Sequence, residues 1–172
     1  MRPSFFPMLG FVFSSLMLSV SISQAAVPQT KQASQAGTYK VAIDRNISID
    51  DAAESMRLRA NALNLKLVAE LPLSKQVEAV TNKAQRTITI FQFCDAVTAK
   101  DLIDLNLDFS VYMPCRIALI EDANGQGWLV MMDVNVDAVA KNKNLSPAMK
   151  ARVNAVRQSL LEVMQAGAKG EL

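Results

Sequence analysis

The sequence predicts an α+β fold, a single two-layer domain in which a mixed sheet of about five strands carries helices packed against it. Three observations support this. Short alternating or β-branched runs recur between stretches of helical period. Asn124-Gly125, a hairpin turn signal, separates two of those runs. An amphipathic stretch opening on Ser146-Pro147 follows the last of them.

Tyr39, Val41 and Ile43 alternate with Lys40 and Ala42, so residues 39–43 read as a first strand. Ser48 reads as a helix N-cap, with Asp50 and Asp51 in the first turn where the helix dipole favours acids. Ala52, Ala53, Met56, Ala60 and Leu63 then follow at helical spacing, and Asn64 reads as a left-handed stop. Residues 65–71 alternate as a second strand that Pro72 ends, and residues 74–80 read as a short helix. Residues 87–94 form the strongest strand signal, β-branched and aromatic throughout. Asp95 caps a helix running to about Leu105, with Ala96, Ala99, Leu102 and Ile103 as its inner face. Residues 109–113 read as extended or looped. Residues 115–120 and 128–132 are the two strands of the hairpin. In the final helix Val153, Val156, Leu160, Val163 and Met164 form an apolar stripe, and Gly167 reads as the terminator.

The first 25 residues combine Arg2, an apolar run from Phe5 to Val20 and the small residues Ser23 and Ala25 at signal-peptidase positions. A cleavable secretory signal is expected there, with cleavage after Ala25. Ser14, Ser15 and Ser19 interrupt the apolar run, which argues against an uncleaved anchor, and there is no nearby cysteine to take a lipid. Residues 26–37 read as a flexible leader and residues 38–172 as the folded domain. The expected address is the periplasm or the extracellular space, with no transmembrane anchor after cleavage.

The chain has 18 basic and 16 acidic residues; removing Arg2 with the signal leaves 17 against 16. That balance leaves no electrostatic footprint for nucleic acid and no polybasic membrane patch. Histidine is absent, which excludes Ser-His-Asp and Cys-His catalysis of the ordinary kind and nearly all catalytic zinc sites. The six glycines are scattered, so there is no phosphate-cradling loop.

Two segments carry a resemblance. Phe91-Gln92-Phe93-Cys94-Asp95 with Thr98-Ala99, and Tyr112-Met113-Pro114-Cys115-Arg116-Ile117-Ala118-Leu119, resemble the bacterial domain-of-unknown-function family 302. Glu121-Asp122, Gly127-Trp128-Leu129, the Ser146-Pro147 helix and Ala166-Gly167-Ala168 extend the likeness over roughly residues 47–172. The resemblance implies a small two-layer α/β fold, with dimerisation as an option, and no settled activity or catalytic residues.

Cys94 and Cys115 are the only cysteines, and they are the candidate site. Three readings stay open: a disulfide, as an even count outside the cytoplasm suggests; buried reduced thiols; or a redox or metal pair. A helix N-terminus beside Cys94 would lower its pKa, whereas burial among Ile90, Phe91 and Phe93 would raise it. If the 95–105 helix is a crossover between parallel strands, the thiols lie at opposite ends of a strand of ~6 residues, about 20 Å long, beyond the ~7 Å Cα limit for bridging. Only a return of the chain through residues 109–113 would bring them together. As thiolates, joined by Met113, Met131 or Met132, they would suit Cu(I). No other cofactor is expected. Arg116 is the ligand-contact candidate, unless Glu121 or Asp133 takes it as an ion-pair partner; a catalytic role for those two acids is disfavoured. The leading functional expectation is an exported, non-enzymatic binding or accessory domain for a small molecule, metal ion or protein partner. The alternatives are a thiol-dependent redox or Cu(I)-handling protein and a structural envelope protein acting as a homodimer.

Overall fold

The computed structural model describes residues 36–171. The expected signal peptide and most of the expected leader lie outside them. Along the chain run β1 (Ala36–Ala42), α1 (Ile49–Ala62), β2 (Lys66–Leu71), α2 (Leu73–Thr81), β3 (Ile88–Cys94), α3 (Ala96–Leu105), a 3₁₀ turn (Leu107–Tyr112), β4 (Cys115–Glu121), β5 (Gly127–Val134), α4 (Val136–Asn142) and α5 (Pro147–Lys169). β1 takes in Ala36 and Gly37, the last two residues assigned to the leader.

The sheet has five strands in the order β1-β5-β4-β3-β2, and the α+β class stands. It is antiparallel at every pairing, not mixed. The mixed expectation rested on treating α3 as a crossover. Instead α3 and the 3₁₀ turn after it form a closed excursion that re-enters the sheet where it left, with Phe93 opposite Cys115. β1 and β2, linked through α1, are the two edges. β2 is irregular: its register against β3 shifts between Leu67 and Ala69, leaving Val68 unpaired in a bulge.

Local chemistry sets most of the element ends. The side chains of Ser48, Asp95 and Ser146 accept the backbone N–H of Asp51, Thr98 and Met149, as N-caps do. Asn64 takes φ 59° after α1, the expected left-handed stop. In the hairpin turn Gly125 takes φ 75°, while the Asp122 carboxylate accepts the N–H groups of Asn124 and Gln126 and the indole N–H of Trp128.

One face of the sheet is covered. Phe91 and Phe93 from β3, Ile117 and Leu119 from β4, and Leu129 and Met131 from β5 are buried against α1 and α5. Gly167 does not end α5. The helix continues to Lys169, and Gly170 is its cap at φ 66° with its N–H on the Ala166 carbonyl. Gly167 lies inside the contact between helix and sheet, where a Cβ would sit 2.6 Å from Met56 Cγ and 3.1 Å from the Ala52 carbonyl. The glycine is therefore used for close approach rather than for a turn.

A second, smaller cluster holds Leu102 of α3, Phe109 of the 3₁₀ turn and Val139 of α4, with Met149 and Val153 from the first half of α5 against it. Two of its parts were not foreseen. The 3₁₀ turn stands where an extended or looped segment was expected, and α4 falls in a stretch with no assigned element.

Candidate functional site

A cleft of about 510 Å³ lies between the two clusters. It forms because β4 and β5 part: their pairing stops at Ile117–Met131, although β4 begins at Cys115 and β5 runs on to Val134. Cys115 and Arg116 line one side of the gap and Met132 and Val134 the other. Leu102, Phe109 and Val139 of the second cluster close it from beyond the end of the sheet. Ile90, Ala118 and Val130, cross-strand neighbours on the face away from α1 and α5, extend it along the sheet.

Cys94, Cys115, Arg116 and the three methionines singled out from the sequence all line this cleft, whereas Glu121 and Asp133 do not. Cys94 ends β3 and Cys115 begins β4, and both line it as free, half-buried thiols. Phe93, not Cys94, pairs with Cys115, so the cysteines are one register step apart. They are not at opposite ends of the sheet, as the crossover picture required. Side chains one step apart leave a strand on opposite faces, which opposes a direct S–S bond despite the proximity. Cys115 packs toward the main core with Phe93 and Ile117, and Cys94 turns to the other face with Ile90.

Burial is the largest influence on both thiols. It raises Cys94, with the neighbouring Asp95 charge adding to the rise. Burial likewise pushes Cys115 up to about 11, helped by Cys94 and only partly opposed by Arg116. Both are therefore protonated near neutral pH, and at Cys94 the raising effect of burial is the one that prevails. Burial also acts to raise the Asp95 carboxyl, but the Thr98 hydroxyl and the N–H groups of Thr98 and Val97 outweigh it and hold it low.

The acids proposed as partners for Arg116 are occupied elsewhere. Asp133 receives Arg157 through Nε at 2.6 Å and Nη2 at 2.9 Å, and Glu121 accepts the N–H of Thr87. Arg116 lines the cleft, is exposed, and among the described residues makes no hydrogen bond or ion pair. Met113, Met131 and Met132 also line the cleft. Among the described residues no three His, Cys, Asp or Glu side chains come together as a metal-holding group. Sequence reasoning missed Arg157, Tyr112 and the apolar wall of Leu102, Phe109 and Val139 as cleft residues. Two of them carried a signal: Leu102 by its place on the inner face of α3, and Tyr112 by opening the 112–119 segment of the family resemblance.

Residues 39–167 match the domain of unknown function DUF302. The chain belongs to the DUF302 family. A search of curated proteins found no match. Among solved structures, the chain is similar to an uncharacterized conserved DUF302 protein from Bacillus stearothermophilus, with TM-score 0.60 and 14% identity, covering 75% of this chain and 96% of that one. At that identity the likeness concerns the DUF302 fold alone. The DUF302 match starts at Tyr39, inside β1, and ends at Gly167, so it takes in all of the second cluster and all but Ala168 of the main core's buried residues, and all of the cleft lining but Gly37 and Thr38.

Proposed function

We propose that this domain is a non-enzymatic binding or accessory module that takes a small, largely apolar molecule into the cleft. The observation behind this is the cleft itself. Its volume falls in the ~300–1,000 Å³ range of ordinary small-molecule sites, and its walls are mainly aliphatic and aromatic. Two further features favour binding over catalysis. The cleft thiols are protonated, and its carboxylate, Asp95, is committed to a helix cap. Saturable binding of Nile red, a neutral lipophilic dye, tests the reading. Ala118→Phe should fill the floor of the cleft and abolish binding while leaving the thermal midpoint near the wild-type value. No saturable binding, or unchanged affinity in a folded Ala118→Phe protein, would overturn it.

A second reading rests on the gathering of sulfur. Cys94, Cys115, Met113, Met131 and Met132 all line the same cleft, a donor set suited to Cu(I). Raised thiol pKa values make such binding proton-releasing and steeply weaker as pH falls. Competition with a chromogenic Cu(I) chelator, wild type against the Cys94→Ser/Cys115→Ser double variant, decides it. Equal copper retention by both proteins rules it out.

We place the module outside the cytoplasm, on the support of Arg2, the apolar run and the Ser23/Ala25 exit. Mass spectrometry of the extracytoplasmic fraction should find a mature N-terminus at Ala26. Intact Met1 protein in the membrane pellet would contradict export.

A further inference from the structure

The geometry points to an amphipathic monocarboxylate as the ligand, a hydrocarbon body in the cleft with its carboxylate on Arg116. The inference rests on the cleft-binding reading and makes it chemically specific. It follows from which cleft groups are already engaged.

Three charged side chains line the cleft: Asp95, Arg116 and Arg157. Asp95 is satisfied by the Thr98 hydroxyl at 2.7 Å and the Thr98 N–H at 3.1 Å. Arg157 is held in a two-nitrogen fork by Asp133. Arg116 alone of the three has neither a hydrogen bond nor an ion pair among the described residues. The cleft thus presents one uncommitted positive charge. A guanidinium offers parallel N–H donors at the spacing of the two oxygens of a carboxylate. Arg116 is exposed, so a carboxylate meeting it stays in contact with water and avoids the desolvation penalty of a buried pair.

The walls define the rest of the molecule. Among the described residues, no buried side-chain nitrogen or oxygen lacks a hydrogen-bond partner. A sugar or nucleotide entering the cleft would bury many polar groups against walls that are mainly aliphatic and aromatic, which is unfavourable. A hydrocarbon chain loses nothing of that kind and gains from burial against Ile90, Leu102, Phe109, Val130 and Val139. One cation and an apolar lining specify one anionic end and an apolar remainder.

Decanoate and decanol, kept below the concentration at which either aggregates, separate the two contributions when they compete with Nile red. Decanoate should displace the dye from the wild-type domain more strongly than decanol. Arg116→Gln should weaken decanoate by about tenfold, the size expected for a charge-assisted hydrogen bond, and leave decanol unchanged. Arg116→Lys should recover part of the loss, and added salt should weaken decanoate only. Because Arg116 is exposed and unpaired, the variants should keep the wild-type thermal midpoint. Equal displacement by the two compounds, or equal weakening of both in Arg116→Gln, overturns the carboxylate assignment. Nile red binding that neither compound displaces also defeats it and leaves the cleft reading standing. Absence of Nile red binding defeats the cleft reading itself.

Discussion

Cys115 shows how a side chain's neighbours can reverse an expectation drawn from its sequence position. Beside the Arg116 guanidinium, a thiol looks poised to ionise. Its fold instead places it against Phe93 and Ile117, and burial raises its pKa from an ordinary 9.0 to about 11. A pH dependence follows. The protonated thiol is favoured in the folded state, so the unfolded chain gives up its proton first as pH rises. The unfolded state then binds fewer protons, and stability falls with pH. The contribution is fully present below about pH 9 and is lost as pH rises through about 11. Urea midpoints of wild type and Cys115→Ala should therefore converge between pH 8.5 and pH 10.5. A constant difference would show that the thiol does not titrate differently in the two states. Signals confined to a few adjacent residues could be read in advance: Ser48, Asp95 and Ser146 cap helices because each needs only its own oxygen and an N–H three residues on. The Arg157–Asp133 fork could not, because it joins α5 to β5 across the fold and no local pattern marks it.

Helix ends and helix contacts use the same residue types for different purposes, and α5 shows both. Ser146 closes its first turn, so Ser146→Ala should cost about 1 kcal/mol in chemical denaturation. An unchanged midpoint would mean that the cap hydrogen bond adds nothing to stability. Two glycines lie near the other end, and either satisfies the rule that glycine stops a helix. Packing distinguishes them. Gly170 has the positive φ, whereas at Gly167 α5 meets Met56 of α1 and Leu129 of β5 with no room for a methyl group. Gly167→Ala should cost roughly 1–3 kcal/mol through overpacking, against the gain alanine brings to an open helix. A stabilised Gly167→Ala protein would show that α1 can move away freely. Strand assignments survived better than their pairing. β3, β4 and β5 were visible as β-branched or alternating runs, but their relative direction depends on where the α3 excursion returns, and residues 107–112 carry no pattern that says so. α4 was hidden for a similar reason: at seven residues it is too short for a periodic signal.

At the scale of the molecule, α5 is the member common to both clusters. Its 23 residues span about 34 Å, with Leu160, Val163 and Met164 in the main core and Met149 and Val153 against the second cluster. The second cluster has three buried residues of its own, so it should open at a lower free energy than the whole domain. Native-state hydrogen exchange should find the amides of α3 and α4 exchanging through that partial opening, and those of α1 only on global unfolding. Uniform exchange energies across α1, α3 and α4 would show one cooperative unit. Decanoate should slow exchange in α3 and α4 selectively, because their side chains form the far wall of its cleft. The bulge at Val68 has a different consequence, one that concerns crowded solutions rather than single molecules. β2 is an edge strand with Leu67, Val68 and Leu71 exposed, the composition that invites another chain to add a strand. An added strand needs an unbroken ladder of N–H and C=O groups, and the register shift between Leu67 and Ala69 breaks that ladder in mid-strand. Removing one residue to straighten β2 would turn a blocked edge into a template, and the cost would appear as fibrils at high concentration before it appeared as a lower melting temperature.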